Sequence, residues 1–460
     1  MKKHDLIKLG VPKACLDLAL EYVIACVKSG LVRRYKPHEL VSMVMDHPEN
    51  YFNDSLAGRF AKALAVDAKM EMRAPATYKI WGENGIETGA IEQLRAACTL
   101  PISYRAALCA DAHQGYGLPI GGVLATLGAV IPYAVGVDIA CRMKLTVLDV
   151  EASRLKIDQD AFTKALLTQT IFGAGQEQPE RTDHPVMDQD WDFCQITKNV
   201  KDLARSQLGT SGGGNHFVEF GEIEFGVIPP NSNVALGKKY VAILSHSGSR
   251  GPGSKICKFF NDIAKRATDG KYRFLPWLEM DTEAGQQYWQ AMNLMGDFSA
   301  ANHEIIHKRI VKCLKATSLF QVENHHNWAW KEIHDGCEVI VHRKGATPAG
   351  KGVLGVIPGS MADPAYLVEG LGNPASLNSA SHGAGRKMSR SAASAKFDWE
   401  FWNAELRRRD VKLLGAGLDE VPGAYKNIDE VMAQQTDLVK VLARFDPRIV
   451  RMASDGPAED

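Results

Sequence analysis

Five loops, far apart in the chain, each end an apolar, strand-like run with a residue that can bind a metal or attack phosphorus. They are Val137-Asp138-Ile139-Ala140-Cys141, Gly214-Asn215-His216, Ser245-His246-Ser247-Gly248-Ser249-Arg250, His325-His326-Asn327 and Ser381-His382-Gly383-Ala384-Gly385-Arg386. A fold that uses them together must bring all five strand exits to one place. Taken singly, each residue has a plain structural reading, because buried cysteines are usually small hydrophobes and loop histidines often cap turns. Taken together, the carboxylate of Asp138, the thiolate of Cys141 and the imidazoles of His216, His246 and His326 hold two divalent ions if the sulfur bridges them. Cysteine and histidine favour zinc, whereas a carboxylate with open positions for phosphate oxygens admits manganese, so residue type leaves the metal open. His325 reads as a group that orients His326.

Composition narrows the class of protein. Lys plus Arg (54) equals Asp plus Glu (54), so no global field draws the chain to a polyanion, and any such binding must come from local clusters. The nine cysteines are dispersed without a CxxC pair, and Met1-Lys2-Lys3-His4-Asp5 does not read as a signal peptide. The apolar stretch from Ala14 to Val27 is broken by Asp17 and Glu21, which argues against a membrane span. A reducing cytosol is the expected compartment, and it would keep Cys141 available as a thiolate.

Periodicity predicts an α+β protein with central packed sheets. Residues 1 to about 70 read as a helical extension, with apolar positions Leu16, Leu18, Leu20, Val23, Ile24 and Val27 in one segment, Gly30 as a stop signal, and shorter helical patterns over Pro37–Asp46 and Ser55–Val66. Either packing on the main body or gripping RNA or another partner would explain such an extension. Residues 71–454 read as the catalytic domain and 455–460 as a disordered tail. Strands are predicted over 121–125, 129–131, 144–148, 240–244 and 338–341, and helices over 162–169, 254–267, 284–311 and 429–442.

The loop Ser381-His382-Gly383-Ala384-Gly385-Arg386 sets an imidazole beside two glycines and a guanidinium. Glycines permit close backbone approach, and Arg386 can pair bidentately with phosphate oxygens. Imidazole, with an ordinary pKa near 6.5, is largely neutral at pH 7, so its lone pair is ready to attack phosphorus. Capping a turn is the alternative for His382. Gly209–His216 and Ile357–Met361 offer backbone N–H groups to phosphates, Arg250 offers a cation, and His342-Arg343-Lys344-Gly345 forms a local basic cluster.

With these residues assembled, the chain resembles the RtcB family of RNA ligases from about Met72 to Arg451. The likeness rests on Asp111-Ala112-His113-Gln114-Gly115, Val135–Cys141, Gly212–Glu219, His246–Gly251, His325–Asn327, His342–Thr347, Pro358–Met361, His382–Arg386 and Ala424–Asp429. The resemblance implies an enzyme dependent on GTP and two Mn²⁺ ions. Such an enzyme joins an RNA 3′-phosphate or 2′,3′-cyclic phosphate to a 5′-hydroxyl, in RNA repair or tRNA splicing, with archease as a candidate partner. It implies Asp138, Cys141, His216, His246 and His326 as metal ligands. His382 would carry GMP, aided by Asp111, His113, Arg250 and Arg386. Asn215, Phe217, Glu219, His342, Ser360, Met361, Ala384, Gly385, Tyr425 and Arg451 would contact the guanylate. The chain departs from the family at Tyr116, where a lysine is usual, at Ala140 and Arg142, where glycines flank the cysteine, at Ala362-Asp363, and at Arg451. Two rival readings are a metal-dependent RNA phosphohydrolase or cyclic phosphodiesterase without a covalent step, and a non-catalytic RNA-binding subunit.

Overall fold

Antiparallel pairing decides where the loops go. In the computed structural model, which describes residues 1–71 and 74–454, seven strands of an eight-stranded sheet run in the spatial order Leu354–Ile357, Ala365–Gly370, Val439–Met452, Phe217–Phe225, Lys239–Ser247, Arg142–Glu151, Ser318–His325. Lys412–Leu413 adds to it beside Val439–Met452. Neighbours of opposite direction place the start of one strand against the end of the next. Phe217 therefore pairs with His246, and Arg142 pairs with both Ser247 and His325. The starts of two strands and the ends of two others share one sheet edge. Cys141 and His216 thus enter strands, His246 lies near the end of one, and only His326 and His382 follow strands. The expectation of five strand exits is corrected to a mixture of entries and exits.

A five-stranded sheet runs in the order Thr77–Ile80, Ser103–His113, Ile120–Thr126, Cys337–Lys344, Asn327–His334. The chain crosses from the larger sheet to this one at His326, between Ser318–His325 and Asn327–His334. His382 follows the short strand Ser379–Ser381, which pairs with Ala346–Pro348. The 32-residue helix Glu283–Leu314, about 48 Å long at 1.5 Å per residue, packs its buried side chains against these elements.

The strands predicted over 121–125, 144–148, 240–244 and 338–341 lie inside observed strands, as the helices predicted over 162–169, 254–267 and 284–311 lie inside observed helices. The helix expected over 429–442 is corrected: Ile428–Ala433 is helical, but Val439–Met452 is a strand. Its β-branched, partly alternating sequence pairs on both sides, with Ala365–Gly370 and Phe217–Phe225, and that pairing overrides local helix propensity. The helices Leu16–Lys28, Pro37–Asp46 and Gly58–Glu71 bury an apolar cluster made entirely from residues 6–64, including Leu6, Tyr22, Val41 and Phe60. Asp54 accepts from the backbone N–H groups of Leu56 and Ala57 just ahead of the last of them, at 2.9 and 2.7 Å. The expected disordered tail lies outside the described residues. Among those described, no helix is long and apolar enough to cross a membrane.

Candidate active site

The shared sheet edge gathers the donor atoms into a row with the sulfur at its centre. Cys141 Sγ lies 3.6 Å from His216 Nε2 and 3.0 Å from His246 Nε2. On one side His216 Nε2 is 3.2 Å from Asp138 Oδ2, and on the other His246 Nε2 is 3.2 Å from His326 Nε2. All five residues are buried. Their aim is fixed from behind. His216 Nδ1 donates to the Ser211 carbonyl at 3.0 Å and His246 Nδ1 to the Asn215 carbonyl at 3.2 Å, so both Nε2 lone pairs face the sulfur. Asp138 Oδ1 accepts from the Ser249 N–H at 2.9 Å, which leaves Oδ2 toward His216.

This donor set fits cations. Burial, reinforced by neighbouring imidazoles, pushes His246 down to about 3 and His326 well below the ordinary histidine value, so both rings are neutral at pH 7. Burial works against ionising Asp138, yet the neighbouring His216 and Arg250 side chains hold its carboxyl below the usual range. The row therefore consists of lone pairs, a carboxylate and a thiol at mutual distances near 3 Å, and His326 Nδ1 is buried without a partner. Cys141, His216 and His246 place their ligand atoms within 4.8 Å of one another and would hold a metal ion, with Asp138 and His326 as adjoining donors. Gly248 is required here, since a Cβ would overlap the Asp138 carboxylate.

His382 stands beside this row, its ring centroid 4.9 Å from that of His326. Asp111 Oδ2 accepts from His382 Nδ1 at 2.6 Å, from the His382 backbone N–H at 3.0 Å and from the Gly383 N–H at 3.3 Å. Burial opposes the Asp111 charge, but the adjoining His382 ring holds its pKa below the usual carboxylate value. With Nδ1–H committed to Asp111, His382 Nε2 carries the free lone pair, which is the arrangement a nucleophilic or general-base imidazole needs. Gly385, at φ +71°, lets the loop lie against the Asp111 backbone, where a Cβ would overlap the carbonyl oxygen. His113 Nδ1 faces the same carbonyl at 3.2 Å, and burial lowers this ring to about 4.

These groups open into one cavity of about 640 Å³, a volume suited to a nucleotide-sized ligand. Asp138, Cys141, His216, His246, His326, His382 and His113 line it, as do Asn215, Phe217, Glu219, Ser360, Met361, Ala384, Gly385, Arg386 and Tyr425. Burial pushes the Glu219 carboxyl well above its ordinary value. Arg386 is held at the wall by the Asp419 carbonyl at 2.8 Å, the Tyr425 hydroxyl at 3.3 Å and Glu420 at 3.4 Å.

Several sequence expectations are corrected. His342 faces the core, accepting from the Ile131 N–H at 2.9 Å and donating to the Leu124 carbonyl at 3.1 Å, so neither nitrogen is left for a nucleotide. Arg451 is spent on the carbonyls of Leu166 and Thr170, at 2.7 and 3.0 Å, with its guanidinium over the Phe172 ring, away from the cavity wall. Arg250 lies buried behind His216, its Nη1 3.2 Å from Nδ1, and does not line the cavity. Gly212, at φ +90°, makes room for that guanidinium, so this part of the glycine-rich loop serves Arg250 instead of a phosphate. In the expected basic cluster, Arg343 is buried against Glu332, Ser379 and the Leu377 carbonyl, and Lys344 is its one basic side chain that lines the cavity, where burial lowers it to about 8. His325 stacks on Trp330, with centroids 5.2 Å apart, and has no hydrogen bond to His326 that would orient it.

Sequence reading assigned no role to three features of the site. Asn327 knits it together, its side chain donating to the Asp138 carbonyl at 3.1 Å and accepting from the Gly345 N–H at 2.8 Å. Glu420, buried, pairs with Arg386 and Arg390 and with the Tyr425 hydroxyl. His303 and His307, one turn apart on the long helix, sandwich the Ser245 hydroxyl at 2.6 and 2.7 Å, and His303 Nε2 donates to the Ser247 carbonyl at 3.1 Å. Their i, i+4 spacing on a helix with an apolar face was the available signal for this last pair.

A model of the tRNA-splicing ligase RtcB family matches residues 93–193 and 177–453. RNA-splicing ligase RtcB1 of Escherichia coli (strain ATCC 25922) is 32% identical over 401 residues, covering 80% of this chain and 95% of that protein. tRNA-splicing ligase RtcB of Thermococcus kodakarensis is 28% identical over 440 residues, covering 78% and 89%. The corresponding protein of Archaeoglobus fulgidus is 29% identical over 457 residues, covering 82% and 94%. With a buried row of carboxylate, cysteine sulfur and imidazoles at one sheet edge and matches on this scale, the chain belongs to the tRNA-splicing ligase RtcB family.

Proposed function

We propose that the chain is a GTP-dependent RNA ligase that joins a 3′-phosphate or 2′,3′-cyclic phosphate end to a 5′-hydroxyl end, in RNA repair or tRNA splicing. The observation that supports it best is the pairing of His382 Nδ1 with Asp111 at 2.6 Å, beside the buried Cys/His row. An imidazole held in one tautomer can attack phosphorus as well as take a proton from water, and covalent capture of guanylate separates the ligase from a hydrolase.

In this reading His382 Nε2 attacks the α-phosphorus of GTP, a P–N bond forms, and pyrophosphate leaves. The Asp111 carboxylate stabilises the positive charge that develops on the imidazole. An RNA 3′-phosphate oxygen then takes the guanylyl group, releasing His382, and the 5′-hydroxyl displaces GMP as the phosphodiester forms. A cyclic phosphate is first opened by water to the 3′-phosphate. Asp138, Cys141, His216, His246 and His326 would hold two Mn²⁺ ions, whose charge would offset the gathered phosphates. Their identity as manganese rests on the family resemblance. Asn215, Phe217, Glu219, Ser360, Met361, Ala384, Gly385 and Tyr425 would surround the guanylate, with Arg386 drawn from its Glu420 contact onto a phosphate.

The test is a joining assay with two defined RNAs, one ending in 3′-phosphate or cyclic phosphate and the other beginning with 5′-hydroxyl. GTP, manganese and archease are omitted in turn. A joined product that needs GTP and manganese is expected, and hydrolysis of the cyclic end with no joined product under any condition would overturn the reading.

A further inference from the structure

The mouth of the cavity carries a feature that the ligase chemistry does not use. Tyr116 is 74% exposed, the most exposed aromatic residue among those described, and it lines the cavity. An exposed ring on a mobile loop would be unremarked, but this loop is held at successive backbone positions. Glu87 accepts from the Gln114 N–H, Gln93 accepts from the Gly115 N–H at 3.1 Å and donates to the Gly115 carbonyl, and the buried Lys344 ammonium donates to the Tyr116 carbonyl. Lys344 adjoins Gly345, where a Cβ would lie 3.1 Å from His382 Cε1, so the clamp on Tyr116 is anchored beside the His382 ring. Sequence reading marked this position as one where the chain departs from a usual lysine.

We infer that Tyr116 is a stacking platform for an RNA base flanking the end that enters the cavity. The inference rests on the RNA-ligase reading and adds to it how the substrate strand is held. A flat apolar ring, displayed to solvent on a fixed backbone, loses little freedom on binding and has a face that any base can cover. A lysine at this position would bind by charge and be insensitive to the base; a tyrosine makes binding depend on the base being present.

The test uses the full chain without GTP, so that binding is read apart from joining. RNAs carry 2-aminopurine, a base whose fluorescence is quenched on stacking, next to a 3′-phosphate in one strand and next to a 5′-hydroxyl in another. Each has a counterpart that is abasic at that position. Quenching is expected for at least one strand, retained in Tyr116→Phe and lost in Tyr116→Ala, with about 10- to 100-fold weaker binding of the base-bearing RNA. The abasic RNA should bind wild type and Tyr116→Ala alike. Equal wild-type affinity for base-bearing and abasic RNA would overturn the inference, as would quenching that persists in Tyr116→Ala. A Tyr116→Ala chain that binds GTP more weakly but RNA unchanged would assign the ring to the nucleotide instead. Quenching without any joined product refutes the ligase reading and leaves the platform standing; joining that is indifferent to Tyr116 does the reverse.

Discussion

Asp111 and His382 stand 271 positions apart in sequence, yet the carboxylate accepts three N–H groups from His382 and Gly383. Changing Asp111 to Asn removes the charge and allows an amide N–H to face Nδ1, which favours the wrong imidazole tautomer. Guanylylation by Asp111→Asn should therefore fall by about 100-fold or more with the fold retained by circular dichroism; a rate within twofold of wild type would show that the carboxylate only shapes the loop. Two residues near the Cys/His row are held in the left-handed region, Ala140 at φ 58° and Arg250 at φ 58°, each a local cost of about 1–2 kcal/mol. The Ala140 N–H donates to the Asn327 carbonyl at 2.8 Å, one of the contacts that hold it there. Residue types told the donors apart readily. They did not reveal which way a side chain faces, and so His342 and Arg451 read as ligand contacts when one fills the core and the other caps backbone carbonyls.

Strand pairing converts those scattered types into a site. The register that sets Arg142 opposite Ser247 and His325 also sets Lys144 opposite Glu323, and Glu323 binds both Arg142 and Lys144 at 3.1 Å. This cluster stitches Arg142–Glu151 to Ser318–His325 just below Cys141 and His326. Glu323→Ala leaves two largely buried cations without their carboxylate and should cost about 2 kcal/mol, less than a fully buried pair because Glu323 is itself more than one-third exposed. Denaturant unfolding of the variant checks this, and an unchanged midpoint would mean that pairing alone holds the edge. The strands themselves were legible wherever β-branched runs stood alone, as over 240–244. The C-terminal strand was not, because Val439–Met452 owes its conformation to partners about 70 to 80 and more than 200 residues away, which no local pattern reports. Nor did the sequence distinguish strand entries from exits, since only the antiparallel order makes them equivalent.

At the scale of the molecule, two properties follow from what is buried. His342, enclosed in the core, titrates near 4 when folded against an ordinary 6.5. Below pH 6.5 the unfolded chain takes up a proton that the folded chain refuses, so this stabilisation is present above 6.5 and is lost as pH falls toward 4. At 1.36 kcal/mol per unit the loss is about 3 kcal/mol from this residue alone, and burial depresses His113 and His325 in the same direction. Stability measured by denaturant should fall steeply across that window; a flat profile would contradict the burial. The N-terminal helices enclose their own apolar cluster, and we propose that they form a separable unit. A chain beginning at Ala74 should keep the thermal transition of the body, whereas its collapse would show that the helices complete the main core. The central claim is that imidazole His382, set by Asp111 beside the Cys141 row, accepts guanylate. Incubation with α-³²P-labelled GTP and manganese tests it most directly. The account predicts an acid-labile label on the wild-type chain that is absent from His382→Ala, and a label that persists in His382→Ala, or never forms on a protein that still joins RNA, would contradict it.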